Sequence, residues 1–252
     1  MDSFMKTKRG YIIPSLFTLL NFGFGFMAVL EVLKGNLSIA AWFIILAILF
    51  DGMDGKLARW TGCETPFGLE LDSFSDLISA GVAPAVLVFR TVFMAHAWVG
   101  AFACTAFVFA GAYRLARFNA LQKGNRAQGY QGVPLPVAGM TIAGMVIFSP
   151  PFDFEPSMTV WLILVLFLSI FMMSTVPYQW PRLDFQPGAK RWRSILYSAG
   201  IVCLAVCPQW SLAPLFMAYM LTGIGRRGLD IIRGDARLKE LFILNESLNG
   251  SR

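Results

Sequence analysis

The chain has 252 residues, of which 56% are hydrophobic and 14% charged, with a net charge of +6. A soluble domain carries about 25% charged residues. Too few polar side chains are present to cover a wetted globule, and the apolar content excludes a disordered chain or a coiled coil. An integral membrane protein remains, with room for several spans of about 20 residues each.

In a soluble protein the basic excess would point to nucleic acid. In a membrane protein it follows from Lys and Arg gathering in cytoplasmic loops, so no nucleic-acid partner is expected. Cys63, Cys104, Cys203 and Cys207 form no CxxC pair, and His96 is the one histidine. That donor set argues against a zinc site.

Residues 1–10 are basic and lead into an apolar run with no small-residue cleavage site, which reads as a retained span. Apolar runs and their breakers then predict eight segments: 11–33, 37–60, 69–94, 97–121, 133–148, 158–176, 195–207 and 211–224. Lys34-Gly35-Asn36 and Pro208-Gln209 mark tight hairpin turns. The last two segments are short, so six spans plus an incomplete hairpin is the alternative count. From residue 225 onward, charge alternates with Ile231, Ile232, Leu238, Leu241 and Phe242, the pattern of an amphipathic surface helix. The expected organisation is a membrane domain over residues 1–225 and a cytoplasmic tail over residues 226–252.

Sidedness follows from the bases. With the N-terminus inside, all of the 21 Lys and Arg except Lys34 and Arg90 fall on the cytoplasmic side. The one long outer loop, residues 149–157, carries Asp153 and Glu155 and no base. Such asymmetry predicts an even number of spans with both termini cytoplasmic.

Six of the 15 acidic residues lie between Asp51 and Asp76, at the cytoplasmic ends of the second and third segments. Asp51, Asp54 and Gly55 stand at i, i+3 and i+4, with Ala58 one turn on, so they share a helix face. Asp72 and Asp76 are i, i+4 on the next helix, preceded by the turn residues Pro66, Phe67 and Gly68. An antiparallel pair would converge the four Asp. Carboxylates within membrane segments are costly and mark function. Clustered, they repel unless cations lie between them, and hard oxygen donors suit Mg²⁺ or Mn²⁺. Gly55, Ala58 and Gly68 leave space for a bulky ligand to approach the backbone. One such Asp alone would read as a helix cap, Asp72 for example. An ion or proton pathway would place its acids nearer the bilayer middle.

Asp51-Gly52-Met53-Asp54-Gly55-Lys56-Leu57-Ala58-Arg59, followed at fixed spacing by Gly68, Asp72 and Asp76, fills every fixed position of the CDP-alcohol phosphotransferase signature. The chain resembles that family over about residues 10–225. Its flanks are similar to the CDP-diacylglycerol–serine O-phosphatidyltransferase branch. They are Pro14, Thr18 and Asn21; Ser73, Ser79, Gly81, Ala83 and Pro84; Tyr113-Arg114-Leu115-Ala116-Arg117-Phe118-Asn119; and Gln131-Gly132-Val133-Pro134-Leu135-Pro136. Ala80 and Leu135 depart from that branch, where Phe and Ser are frequent, and bear on acceptor choice only.

The resemblance implies an all-α polytopic bundle, a six-helix core with two further C-terminal spans, working as a homodimer. It implies that Asp51, Asp54 and Asp72 hold one or two divalent ions, with Asp76 completing the site and acting as general base. The substrates would be CDP-diacylglycerol and L-serine, the products phosphatidylserine and CMP, and the site would face the cytoplasm from the cell (inner) membrane.

Around that core, Arg114 and Arg117 stand at i, i+3 at the cytoplasmic end of the fourth segment. Composition alone allows snorkelling anchors. The branch resemblance favours recognition of the serine carboxylate, for which a guanidinium is shaped, with Asn119 close by. Arg59 is placed to orient a carboxylate or face nucleotide phosphates. Gly132 to Pro136 would shape a rigid loop. Thr18 and Asn21 share a face of the first span and would bond the nucleotide or serve as helix–helix glue. Other acceptors (glycerol phosphate, inositol, inositol phosphate) stay open, as does a cation transporter of another class.

The sidedness is the first thing to test. Single cysteines introduced at residues 2 and 250 should resist impermeant thiol reagents in intact cells and react after permeabilisation. Labelling from outside would overturn the cytoplasmic assignment.

Overall fold

A computed structural model describes residues 2–61, 66–123, 132–148 and 157–174, with side-chain surroundings for 16–53, 67–121, 132–147 and 157–174. The described residues are helical apart from short turns and connections, with no strand among them. Helix α1 spans Asp2–Lys34, α2 Leu37–Thr61 and α3 Pro66–Asp76. A π-helical stretch, Leu77–Val82, leads into α4, Ala83–Val88, and a second, Phe89–Phe93, into a 3₁₀ turn at Met94–His96. Then come α5 Ala97–Lys123, α6 Leu135–Phe148 and α7 Met158–Met173. The first six expected segments therefore each correspond to a helical run. The seventh, the eighth and the tail lie outside the described residues.

The directions of these helices follow from their contacts. Phe24 stacks on Phe43 and Phe50, and Phe17 packs on Phe50, so α1 and α2 run antiparallel. Their hairpin is closed by Glu31, which accepts from Lys34 Nζ and Asn36 Nδ2, both at 2.7 Å. Lys34, one of the two bases outside the cytoplasmic set, is thereby paired. The long helical run Phe67–Leu121 folds back at the 3₁₀ turn. Cys104 Sγ donates to the Ala85 carbonyl, and Asn119 reaches Ser73, which sets α5 antiparallel to α3–α4. Two helical runs, Leu16–Lys34 and Phe67–Leu121, are long and apolar enough to cross a membrane, and 37–53, 135–147 and 158–173 are shorter apolar helices.

The core mixes large and small residues. Trp161, Phe93, Phe107, Ile44 and Leu87 are fully buried, and Ala28, Ala40, Ala41, Ala80, Ala83, Ala103, Ala110, Ala138 and Ala143 are buried among them. Other large side chains such as Leu19, Phe26, Leu33, Phe102 and Ile163 face outward, and Trp98 is 90% exposed. Such a pattern suits helices in lipid: small residues let backbones approach, and the exterior need not be polar. Such an outer shell would be an aggregation liability in water.

Two helices approach the first π stretch closely. A Cβ added at Gly25 would stand 2.7 Å from Ser79 Cα, and one at Gly139 2.8 Å from the Ala80 carbonyl oxygen. Helices α1 and α6 thus press their backbones against the π stretch at successive residues. At the other seam Gly132 has φ 75°, in the left-handed region. A Cβ there would meet the Met172 carbonyl oxygen at 2.5 Å. Gly132→Ala should therefore cost about 1–3 kcal/mol of stability, read as a lower thermal midpoint of the detergent-purified protein. An unchanged midpoint would contradict this packing.

Candidate active site

The acids converge as the i, i+4 spacing requires. Asp51, in the C-terminal half of α2, and Asp72 and Asp76, on α3, each offer a carboxylate oxygen within 4.8 Å of the others. Asp72 lies well inside α3, so it does not cap that helix. Asp76 is 9% exposed, and Asp51 and Asp72 are half-buried. Unit negative charges this close repel by at least about 3 kcal/mol per pair at an effective dielectric near 20. The donor set is hard oxygen throughout and fits a divalent ion such as Mg²⁺ or Mn²⁺. Gly68 sits half-buried in the first turn of α3. Asp54, Gly55, Ala58 and Arg59 belong to the helical backbone of α2, and their side chains lie outside the described residues.

Helix α1 covers the cluster. Thr18 and Asn21 are both buried, and Asn21 Nδ2 donates to Asp76 Oδ1 at 3.1 Å. Asn21 Oδ1 and the Ser79 hydroxyl are buried without a hydrogen-bond partner among the described residues. The other buried helical serines and threonines with bonds to describe satisfy themselves locally: Ser75, Thr141 and Ser169 each donate to the carbonyl four residues back.

The polar end of α5 divides into three roles. Arg114 is 6% exposed, so its side chain is enclosed, unlike a base that snorkels to water. Asn119 Nδ2 donates to Ser73 Oγ at 3.0 Å and lies 3.4 Å from Glu70 Oε2, pinning α5 to α3. Arg117 donates to the carbonyls of Met173 at 2.8 Å, Ser174 at 3.0 Å and Met172 at 3.4 Å. These are the carbonyls that the C-terminus of α7 leaves unbonded. Phe171, just before them, accepts from the Val133 N–H at 3.1 Å. The 132–136 segment thus packs on the end of α7, beside the Arg117 cap.

Residues 11–178 match the CDP-alcohol phosphatidyltransferase family. This chain belongs to that family. It is similar to a CDP-diacylglycerol–serine O-phosphatidyltransferase of Helicobacter pylori, 28% identical over 86% of this chain and 91% of that one. A protein of the same name from Methanocaldococcus jannaschii is 32% identical over 83% and 94%. An archaetidylserine synthase of Methanothermobacter thermautotrophicus is 36% identical over 68% and 70%. Family members of this kind generally use divalent metal ions, in keeping with the cluster of acids.

Within this family member, sequence spacing located the Asp pair on α3 but did not single out Glu70, whose link to Asn119 spans 49 positions. The Arg117 cap spans 55 to 57 positions and was equally out of reach. It has its own test. Arg117→Lys keeps the charge but loses the fork that serves several carbonyls at once. It should lower stability by about 1–3 kcal/mol, seen as a reduced thermal midpoint, and Arg117→Ala by no less. A lysine variant as stable as the parent would remove the cap.

Proposed function

We propose that this chain transfers the phosphatidyl group of CDP-diacylglycerol to the hydroxyl of L-serine, giving phosphatidylserine and CMP. The observation that carries this is the convergence of Asp51, Asp72 and Asp76, with Asn21 closing over Asp76, at one end of an apolar helical bundle. The names of the similar proteins supply serine as the acceptor.

Asp51, Asp54 and Asp72 would hold one or two Mg²⁺ or Mn²⁺ ions, with Asp76 completing the set. The chemistry such an ion supplies when bound is neutralisation of the pyrophosphate and of the leaving CMP. Asp76 takes the proton from the serine hydroxyl as its oxygen bonds the phosphatidyl phosphorus and the bond to CMP breaks. Thr18, Gly55, Ala58, Arg59 and Gly68 border the CDP-diacylglycerol site; Asn21, assigned to that set by resemblance, bonds Asp76. Arg114 recognises the serine carboxylate, with Asn119 setting the position of α5 against α3. Arg117, which also belonged to the serine set by resemblance, acts through the end of α7. The protein sits in the cell (inner) membrane as a homodimer of about eight spans per chain, its site open to the cytoplasm and its lipid tails in the bilayer.

The purified protein, given CDP-diacylglycerol with serine, inositol phosphate or glycerol phosphate, should release CMP with serine alone. Excess chelator should abolish turnover, and Mg²⁺ or Mn²⁺ should restore it; full activity in chelator would remove the metal. Asp76→Asn should lower the rate about 10²–10⁴-fold while CDP-diacylglycerol still binds. Arg114→Lys should raise the serine KM roughly tenfold or more, the worth of about 1.5–3 kcal/mol for a charge-assisted bond, with the CDP-diacylglycerol KM little changed. A wild-type-like lysine variant would leave the carboxylate to another residue.

A further inference from the structure

We propose that Asn21 is a positioning residue for Asp76, and that it works on the reaction through that carboxylate without contacting the nucleotide. This rests on the reading of Asp76 as the base. Three observations carry it. Asn21 is completely buried, and its Nδ2 lies 3.1 Å from Asp76 Oδ1, 55 positions away. The amide orientation is forced, because its carbonyl oxygen would repel a carboxylate whereas its N–H donates to one. One turn further along the same seam, Gly25 lets α1 press against Ser79, so the amide cannot slide relative to α3.

The consequence is chemical. A carboxylate has two oxygens and rotates freely about its last bond unless one of them is held. With Oδ1 occupied by the Asn21 N–H, Asp76 is fixed in rotation and presents its other oxygen in one direction. That is what a base needs in order to meet a hydroxyl within hydrogen-bond reach.

Two variants remove the donor, the near-isosteric Asn21→Leu and the shorter Asn21→Ala, so a folding failure of one leaves the other. Each is purified in detergent, checked for its thermal midpoint, and assayed with both substrates varied. A positioning role predicts kcat lowered about tenfold or more, bounded by the 10²–10⁴-fold that a general base contributes. Both KM values and the binding of CDP-diacylglycerol should stay within about twofold of the parent on the same scale. Asn21→Gln, which keeps an amide donor, should recover part of the lost kcat. A raised CDP-diacylglycerol KM with kcat intact would make Asn21 a nucleotide contact and overturn the proposal. Unchanged kinetics with a lower midpoint would reduce it to helix packing and overturn it equally. Asp76→Asn in parallel separates the two readings: if it too keeps its rate, the base assignment fails; if it loses its rate while Asn21→Leu and Asn21→Ala keep theirs, the positioning role fails.

Discussion

Mutual repulsion among the carboxylates of Asp51, Asp72 and Asp76 is the constraint around which the bundle is built. Three acids within 4.8 Å would drive α2 and α3 apart in a loosely packed protein. Here the two helices are held by α1, which stacks its phenylalanines on α2 and sets Asn21 and Gly25 against the chain around Asp76. Packing energy from the buried interior therefore maintains an arrangement that electrostatics opposes. A group that demands compensating charge is kept ready, as expected where function takes precedence over local stability.

The second half of the described bundle answers the first in kind. Helices α2 and α3 bring the acids, α1 brings Asn21 against them, and α5 brings buried basic and amide groups to the same end. Its end is fixed at two separate points: Asn119 on the Ser73–Glu70 side of α3, and Arg117 on the carbonyls that close α7. Arg114 precedes both anchors, one turn before Arg117 on the same helix, so the fixing of that helix end also sets its position. The α6 region touches two places, with Val133 bonded to Phe171 at the end of α7 and Gly139 set against Ala80 in the π stretch.

Much of this was legible in the sequence, for identifiable reasons. Apolar runs broken by Lys34-Gly35-Asn36 or by Pro-containing stretches bounded the six described segments, because hydropathy and turn chemistry are local. The Asp72–Asp76 pairing was legible because i, i+4 is a property of any helix. Asn21 and Thr18 were placed on a shared face, though the partner of Asn21 could not be named. What stayed hidden depends on which helix packs where. Arg117 carries the same charge and spacing whether it meets a substrate or the end of α7. Glu70 sits two residues before Asp72 and enters no spaced motif. The π turn has no residue signature of its own.

That turn has a consequence for chain length. A π turn holds one more residue than an α turn, so Leu77–Val82 behaves as if a single residue had been inserted after Asp76. Deleting one residue there would let the helix close at ordinary pitch with Ala83 and its successors facing much as before, because the bulge had absorbed the extra residue locally. The loss would be confined to the bulge, which sets Ser79 and Ala80 against Gly25 and Gly139. The same deletion in the regular helix between Asp72 and Asp76 would instead turn everything beyond it by about 100°. Chain length is therefore forgiving just after the acids and strict between them.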